Sequence, residues 1–250
     1  MTVLAVLQAR MASTRLPGKV LAPIMGRPML ARQLDRVTRS KLIERLVVAI
    51  GDDDADDPLA EFLVSEGVGL YRGSPDDVLD RFYCAAAAYE PGTVVRLTGD
   101  CPLADPQLID RVIEEHLAGD FDYSSNCLEP TWPDGLDAEV LRFDALHQAW
   151  QNATLASDRE HVTPYIHHRP ELFRLHSIKG EEDLSHHRWT VDVAEDLELV
   201  TRIYAALLPQ NPEFGTADVL EFLQRNPELA LLNRSYQRNE GYERSRMNDE

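Results

Sequence analysis

Four short aliphatic runs recur through the first hundred residues: VLAVL at 3–7, RLVVAI at 45–50, VGLYRG at 68–73 and TVVRLTGD at 93–100. Helical patterns separate them, and this rhythm limits the fold more than any other feature. Aliphatic runs of four to eight residues mark strands buried on both faces. The segments between them, MLARQLDRV at 29–37, DPLAEFLVSEG at 57–67 and SPDDVLDRFYCAAAAY at 74–89, carry apolar residues at helical spacing. Strand–helix alternation with short links predicts an α/β fold, a mostly parallel sheet flanked by helices. Local chemistry supports the boundaries. Asp57-Pro58 and Asp105-Pro106 each set a capping acid before a proline at the first helical position, Gly67 ends the second helix, and Ser74 with Asp77 makes a near capping box around Pro75.

The second half is less regular. DYSSN at 122–126, AEVLRF at 138–143, ELFRLHSI at 171–178 and RWTVD at 188–192 read as strands, and 193–208 and 216–226 as helices. Ser157 and Glu160 fit a capping box. Residues 1–232 form one expected domain. The stretch 233–250 is polar, almost free of aliphatic residues, and expected to be a flexible tail.

Charge narrows the partners. The formal net charge is −18, which disfavours nucleic acid, because binding a phosphate backbone requires a basic face. No apolar run approaches the roughly 20 residues of a membrane helix, and MTVLAVLQAR lacks the features of a signal peptide, so the expected compartment is the cytoplasm without membrane insertion. Cys84, Cys101 and Cys127 are odd in number and lack CxxC spacing, which argues against disulfides or zinc. Against this acidic background residues 1–45 hold nine Lys and Arg but only Asp35 and Glu44. A basic island in an acidic chain suits a small anionic ligand. Arg32, Arg36 and Arg39 read as a solvated helix face, whereas Arg10, Arg15 and Lys19 fall in a loop.

Parallel sheets bind ligands beyond the carboxyl ends of their strands, which directs attention to residues 8–19, 72–77 and 98–105. The first of these, Gln8-Ala-Arg-Met-Ala-Ser-Thr-Arg-Leu-Pro-Gly-Lys19, brings three cations among small residues, a composition that can wrap a polyphosphate. It is neither GxxxxGK[ST] nor GxGxxG. In Arg96-Leu-Thr-Gly-Asp100-Cys-Pro, Asp100 at a strand's carboxyl end can reach a metal; Mg²⁺ takes one or two carboxylates, with phosphate oxygens and water completing its shell. Asp105 is assigned to capping. Asp192, in Trp189-Thr-Val-Asp192, suits a capping box with Glu195 as well as it suits a ligand. Asp137 and Glu139 share one face of a strand, and could bind substrate hydroxyls or form a solvated edge. The pairs His167-His168 and His186-His187 lack metal spacing and read as surface residues, with His161 a weaker substrate candidate.

The first loop resembles the signature of the sugar cytidylyltransferases that activate ulosonic and sialic-type acids, and most specifically the spore-coat-polysaccharide branch. Five further segments agree with that branch: Arg72-Gly-Ser-Pro-Asp-Asp-Val-Leu-Asp-Arg81, Arg96–Leu103, Asp134-Gly-Leu-Asp-Ala-Glu139, Arg159-Glu-His-Val-Thr-Pro164 and Trp189–Asp192. The resemblance implies a GT-A-like, Rossmann-related sheet and transfer of CMP from CTP to a sugar-like, acidic acceptor in surface polysaccharide or glycoconjugate synthesis. It implies that Arg10, Arg15 and Lys19 hold the triphosphate within a nucleotide site of Leu7, Gln8, Ala9, Gly73, Ser74, Asp77, Arg81, Thr98 and Gly99. Arg15, Lys19 and Asp100 are then the catalytic candidates, Asp100 and Asp192 the Mg²⁺ ligands. Asn126, Asp137, Glu139 and His161 are the acceptor candidates, and 126–170 is a substrate and dimerisation insertion of a homodimer.

Two other readings share the same sheet. A glycosyltransferase using a nucleotide-sugar donor places a DxD at its metal, for which Asp52-Asp53-Asp54 is the available acidic run, although it reads better as a solvated loop. A nucleotide-binding protein without turnover needs the cation loop but not two metal-binding acids.

Overall fold

The computed structural model describes residues 2–238, 240–247 and 249. Each aliphatic run is a strand. β1 spans Val3–Gln8, a small ribbon of β2 (Pro23–Ile24) and β3 (Arg27–Pro28) follows, and then come β4 (Arg45–Gly51), β5 (Gly69–Gly73) and β6 (Thr93–Thr98). The second half adds β7 (Tyr123–Ser125), β8 (Glu139–Arg142) and β9 (Leu175–Ser177). Between them lie α1 (Met29–Val37), α2 (Asp57–Ser65), α3 (Val78–Ala87), α4 (Pro106–Ala118), α5 (Phe143–Asn152), α6 (Ala156–His161), α7 (Pro164–His167), α8 (Ala194–Leu207), α9 (Thr216–Arg225) and α10 (Glu240–Met247).

Seven strands form one sheet in the order β5-β4-β1-β6-β8-β7-β9. β8 runs against its neighbours β6 and β7, while every other pairing is parallel. The expected mostly parallel sheet flanked by helices is therefore what forms. β1 explains why its sequence is aliphatic throughout. Val3, Ala5 and Leu7 pack with α1, α2, α4, α8 and α9, while Leu4 and Val6 face α3, α5 and α7. Both faces are dry, so no polar residue can alternate. No helix among the described residues is long and apolar enough to cross a membrane.

Several local expectations differ from the structure, each for a physical reason. Asp57 opens α2 without capping it. Asp56 occupies the cap position, but its buried carboxylate instead accepts from Met11 N at 2.6 Å and Gly51 N at 2.7 Å. The helix expected from Ser74 starts at Val78, because Asp77 is its cap, accepting from Asp80 N, and Ser74 Oγ accepts from Asp77 N. Ser157 caps nothing; its amide donates to Asp249. Asp105 does cap α4, accepting from Gln107 N at 2.9 Å. Arg36 is not on a solvated face but only 3% exposed, donating to Ala104 O and Phe214 O.

The largest difference concerns 188–192, which is not a strand. Arg188 makes only an isolated bridge with Asp134, and Asp134 O accepts from Trp189 N at 2.6 Å and Thr190 N at 2.9 Å. Gly135 permits this approach: its φ is +102°, and a Cβ there would lie 2.3 Å from Thr190 N. The segment is then stitched to the loop after β6, with Val191 N donating to Asp100 O at 2.8 Å. At the same carboxyl end, a Cβ on Gly99 would lie 2.9 Å from that of Ala9, so glycine brings the loops after β1 and β6 into contact.

Two predictions follow from these contacts. Gly135→Ala is expected to lower the denaturation free energy by at least about 1–3 kcal/mol from backbone strain alone, read from the urea midpoint at constant slope. His116 is 3% exposed with Nδ1 2.8 Å from Ser124 Oγ, and burial pushes its pKa from 6.5 down to about 4. The unfolded chain then binds more protons than the folded one between those values, so stability is lost as pH falls from 6.5 towards 4. The slope is up to about 1.4 kcal/mol per pH unit for this one group. His116→Gln should flatten that part of the stability–pH profile.

Candidate active site

The carboxyl ends of β1 and β6 open into a cleft of about 830 Å³, closed on the far side by the 127–168 region, by Gln237 and by residues 240–243. Lys19 lies in it, on the short turn after Gly18, whose φ of +72° suits glycine. The Lys19 side chain is nearly buried. Its Nζ donates to Val191 O at 2.7 Å and Asp192 Oδ1 at 2.8 Å, and lies 3.5 Å from Asp100 Oδ2. Burial works against this ammonium, but Asp100 and Asp192 outweigh it and hold its pKa above the ordinary lysine value. Residues 19, 100 and 192 thus converge on one point.

Asp192 is the most heavily supported acid. Besides Lys19, Arg15 Nη2 and Arg188 Nη2 each lie 2.9 Å from its Oδ2. Burial favours the protonated acid, yet Lys19 and Arg15 prevail and hold Asp192 below the usual carboxylate range. It does not cap α8. Asp196, fully buried, accepts from the amides of Asp192 and Val193 and also binds Arg188 Nε at 3.1 Å and Asn233 Nδ2 at 2.8 Å. The cap expected from Glu195 is one residue further on, which leaves the Asp192 carboxylate free to face the cleft. Asp100 Oδ1 accepts from Thr98 Oγ1 at 2.6 Å.

The pair is a chemically reasonable seat for a divalent ion. Two carboxylates already share one cationic atom, Lys19 Nζ, so their oxygens address a common position. No group of three or more His, Cys, Asp or Glu side chains suited to a metal occurs among the described residues. Mg²⁺ needs only one or two carboxylates, with phosphate oxygens and water completing its shell.

The remaining sequence candidates divide. Gln8, Ala9, Arg10, Arg15, Arg81, Thr98 and Gly99 line the cleft. Arg10 is exposed there and makes no ion pair among the described residues. Leu7 is sealed in the core. Gly73, Ser74 and Asp77 are not on the cleft wall. Asp77 is gripped by Arg159, Nε to Oδ1 at 3.0 Å, and Ser74 O accepts from the buried Arg81 guanidinium. On the far wall Asp137, Glu139 and His161 face the cleft, but Asn126 does not: its amide is spent on Leu136 O and Ala138 N, both 2.9 Å away. Glu139 is no solvated edge. It pairs with Arg96 and accepts from Tyr123 OH at 2.7 Å. Burial opposes its ionisation, and Arg96 reverses the balance, so its pKa lies below the usual value. His167, expected at the surface, also lines the cleft, and burial pushes its pKa down to about 4. Asp52, Asp53 and Asp54 are exposed and line no part of the cleft.

Sequence reasoning missed the supports. Arg188 joins Asp134, Asp192 and Asp196, and Arg238 pairs with Asp137 beside Asp134. Burial and the neighbouring Asp137 raise the Asp134 pKa. The one available signal was the spacing of Arg188 and Asp192, four apart. The 233–250 stretch meets the cleft too, with Glu240 on Arg15 at 3.2 Å and Ser245 Oγ 3.1 Å from His161 Nε2.

The chain is 37% identical over 237 residues to an uncharacterised protein of Methanocaldococcus jannaschii, covering 93% of this chain and 95% of that one. It is 34% identical over 237 residues to the spore coat polysaccharide biosynthesis protein SpsF of Bacillus subtilis, covering 91% and 96%. It is also similar to the solved structure of a cytidylyltransferase from Leptospira borgpetersenii, with a TM-score of 0.88 and 34% identity over 92% of this chain and 97% of that one. The cytidylyltransferase family model matches residues 4–240, nearly the whole chain, and this protein belongs to the cytidylyltransferase family, enzymes that transfer a nucleotide from CTP.

Proposed function

We propose that this enzyme transfers CMP from CTP to a hydroxyl of a sugar-like acceptor, with Mg²⁺ bound by Asp100 and Asp192 and with release of pyrophosphate. The observation that carries the proposal is the convergence of Lys19, Asp100 and Asp192 beside the unpaired Arg10 and the loop cation Arg15. Arg10, Arg15 and Lys19 are suited to the triphosphate, because cations on both sides of it offset the charge gathered on departing pyrophosphate. Bound Mg²⁺ neutralises phosphate charge and lowers the pKa of a hydroxyl it touches. The chain's own contribution is position and field. Asp196 and Arg188 fix Asp192, Thr98 fixes Asp100, and the Gly99 approach fixes the spacing between the two loops. A transfer of this kind depends chiefly on such positioning.

The acceptor belongs at the opposite wall, among Asp137, Glu139, His161 and His167. Carboxylates there accept hydrogen bonds from sugar hydroxyls. The name of the Bacillus subtilis relative supports a place in surface polysaccharide synthesis. An ulosonic acid is the acceptor class to be tried first.

Pyrophosphate release should be seen with CTP in preference to ATP, GTP and UTP when the enzyme is offered a panel of acidic and neutral sugars. Asp100→Asn and Lys19→Ala should each lower kcat by about 10²–10³ while the circular dichroism spectrum is kept. Near-normal turnover in a folded Asp100→Asn enzyme would refute the role given to that acid.

A further inference from the structure

Behind the active cleft the structure holds a second concentration of positive charge that the transfer reaction does not use. Arg32, Arg36 and Arg39 lie at helical spacing on α1 and just beyond its end, and all three line a surface pocket of about 230 Å³ with Tyr204, Leu208, Pro212, Asp35 and Glu213. None of the three arginines pairs with a carboxylate among the described residues. Arg32 donates to the carbonyls of Ile24 and Met25, and Arg36 to those of Ala104 and Phe214. The buried Nε of Arg39 has no hydrogen-bond partner at all. Arg36 is 3% exposed, and burial lowers its pKa, with Arg39 adding to the effect.

Such an arrangement is costly if left alone. Arginine cannot shed its charge by losing a proton, and what offsets burial here is carbonyl oxygens and the aromatic faces of Phe214, 4.6 Å from Arg36, and Tyr204, 5.6 Å from Arg32, none of which carries a full negative charge. Cations three and four apart on a helix also repel one another. The acids nearby offset this only in part: Asp35 is exposed and pairs with Arg27 at 3.3 Å, Glu213 is exposed on the rim, and buried Asp105, which favours the Arg36 charge, forms no ion pair with it and accepts instead from Gln107 N, Thr216 N and Thr216 Oγ1. In a chain of net charge −18, where most other arginines find a carboxylate, an unneutralised triplet around a concave pocket is the exception. The volume suits a small tetrahedral anion, and guanidinium forks match its oxygens.

We propose that this pocket binds a phosphate-type oxyanion at a site separate from the nucleotide cleft. It backs onto the loop that carries Asp100, since Arg36 Nε holds Ala104 O at 2.7 Å and Tyr204 OH holds Pro102 O at 2.6 Å. The proposal does not rest on the function assigned to the cleft.

The test is calorimetric titration of inorganic phosphate into the full chain with the cleft disabled in two ways, by Arg10→Gln/Arg15→Gln and, independently, by saturation of the wild type with CTP and Mg²⁺. Saturable phosphate binding should persist in at least the doubly substituted protein. Adding Arg39→Gln should then weaken it about tenfold, the equivalent of one charge-assisted hydrogen bond. Without phosphate, Arg39→Gln alone should not lower the thermal midpoint, because it relieves the repulsion on Arg36, and CTP turnover should be unchanged, which separates lost binding from lost folding. Loss of all phosphate binding when the cleft is disabled would overturn the proposal, and so would an affinity indifferent to Arg39→Gln.

Discussion

The Lys19 ammonium, seated between the carboxylates of Asp100 and Asp192, is the interaction on which the rest of the molecule depends. Its three members come from the loop after β1, the loop after β6 and the segment before α8. Two carboxylates brought this close would repel without a cation between them, and a buried ammonium would be unfavourable without them. Each therefore makes the position of the others tenable. The same contact joins residues 173 apart in the sequence, Lys19 and Asp192.

The surroundings serve that contact. Asp196 turns a helix start into a clamp for Arg188, and Arg188 in turn holds Asp192 and Asp134. Gly135 lets the Asp134 carbonyl reach the backbone of 189–190, and Gly99 lets the β6 loop meet Ala9. A rigid sheet thus supplies the frame, and two glycines and one buried acid set the distances within it. Rigidity here is functional, because phosphoryl-type transfer gains most from groups already in place.

Much of this was legible in the chain. Strands β1, β4, β5 and β6 declare themselves because they are dry on both faces, and the loop 8–19 because cations are rare in an acidic protein. Asp100 was legible from its place at a strand's carboxyl end. What was not legible depends on contacts distant in sequence. The burial of Arg36, the grip of Arg159 on Asp77 and the service of Asp56 to Met11 and Gly51 leave no local pattern. RWTVD has the alternation of a strand, yet its partner is a turn around Gly135 instead of a sheet edge. Asn126 shows the same limit: a polar residue near a site reads as a ligand until its hydrogen bonds are found spent on its own fold.

The central claim is that Asp100 and Asp192 jointly seat the divalent ion that accompanies the nucleotide. Mn²⁺, as a spectroscopic substitute, tests this by electron paramagnetic resonance titration of the full chain in the presence of CTP. The account predicts one Mn²⁺ per chain in the ternary complex, with affinity reduced about tenfold or more in each of Asp100→Asn and Asp192→Asn while both variants remain folded. Undiminished Mn²⁺ affinity in either folded variant would contradict it.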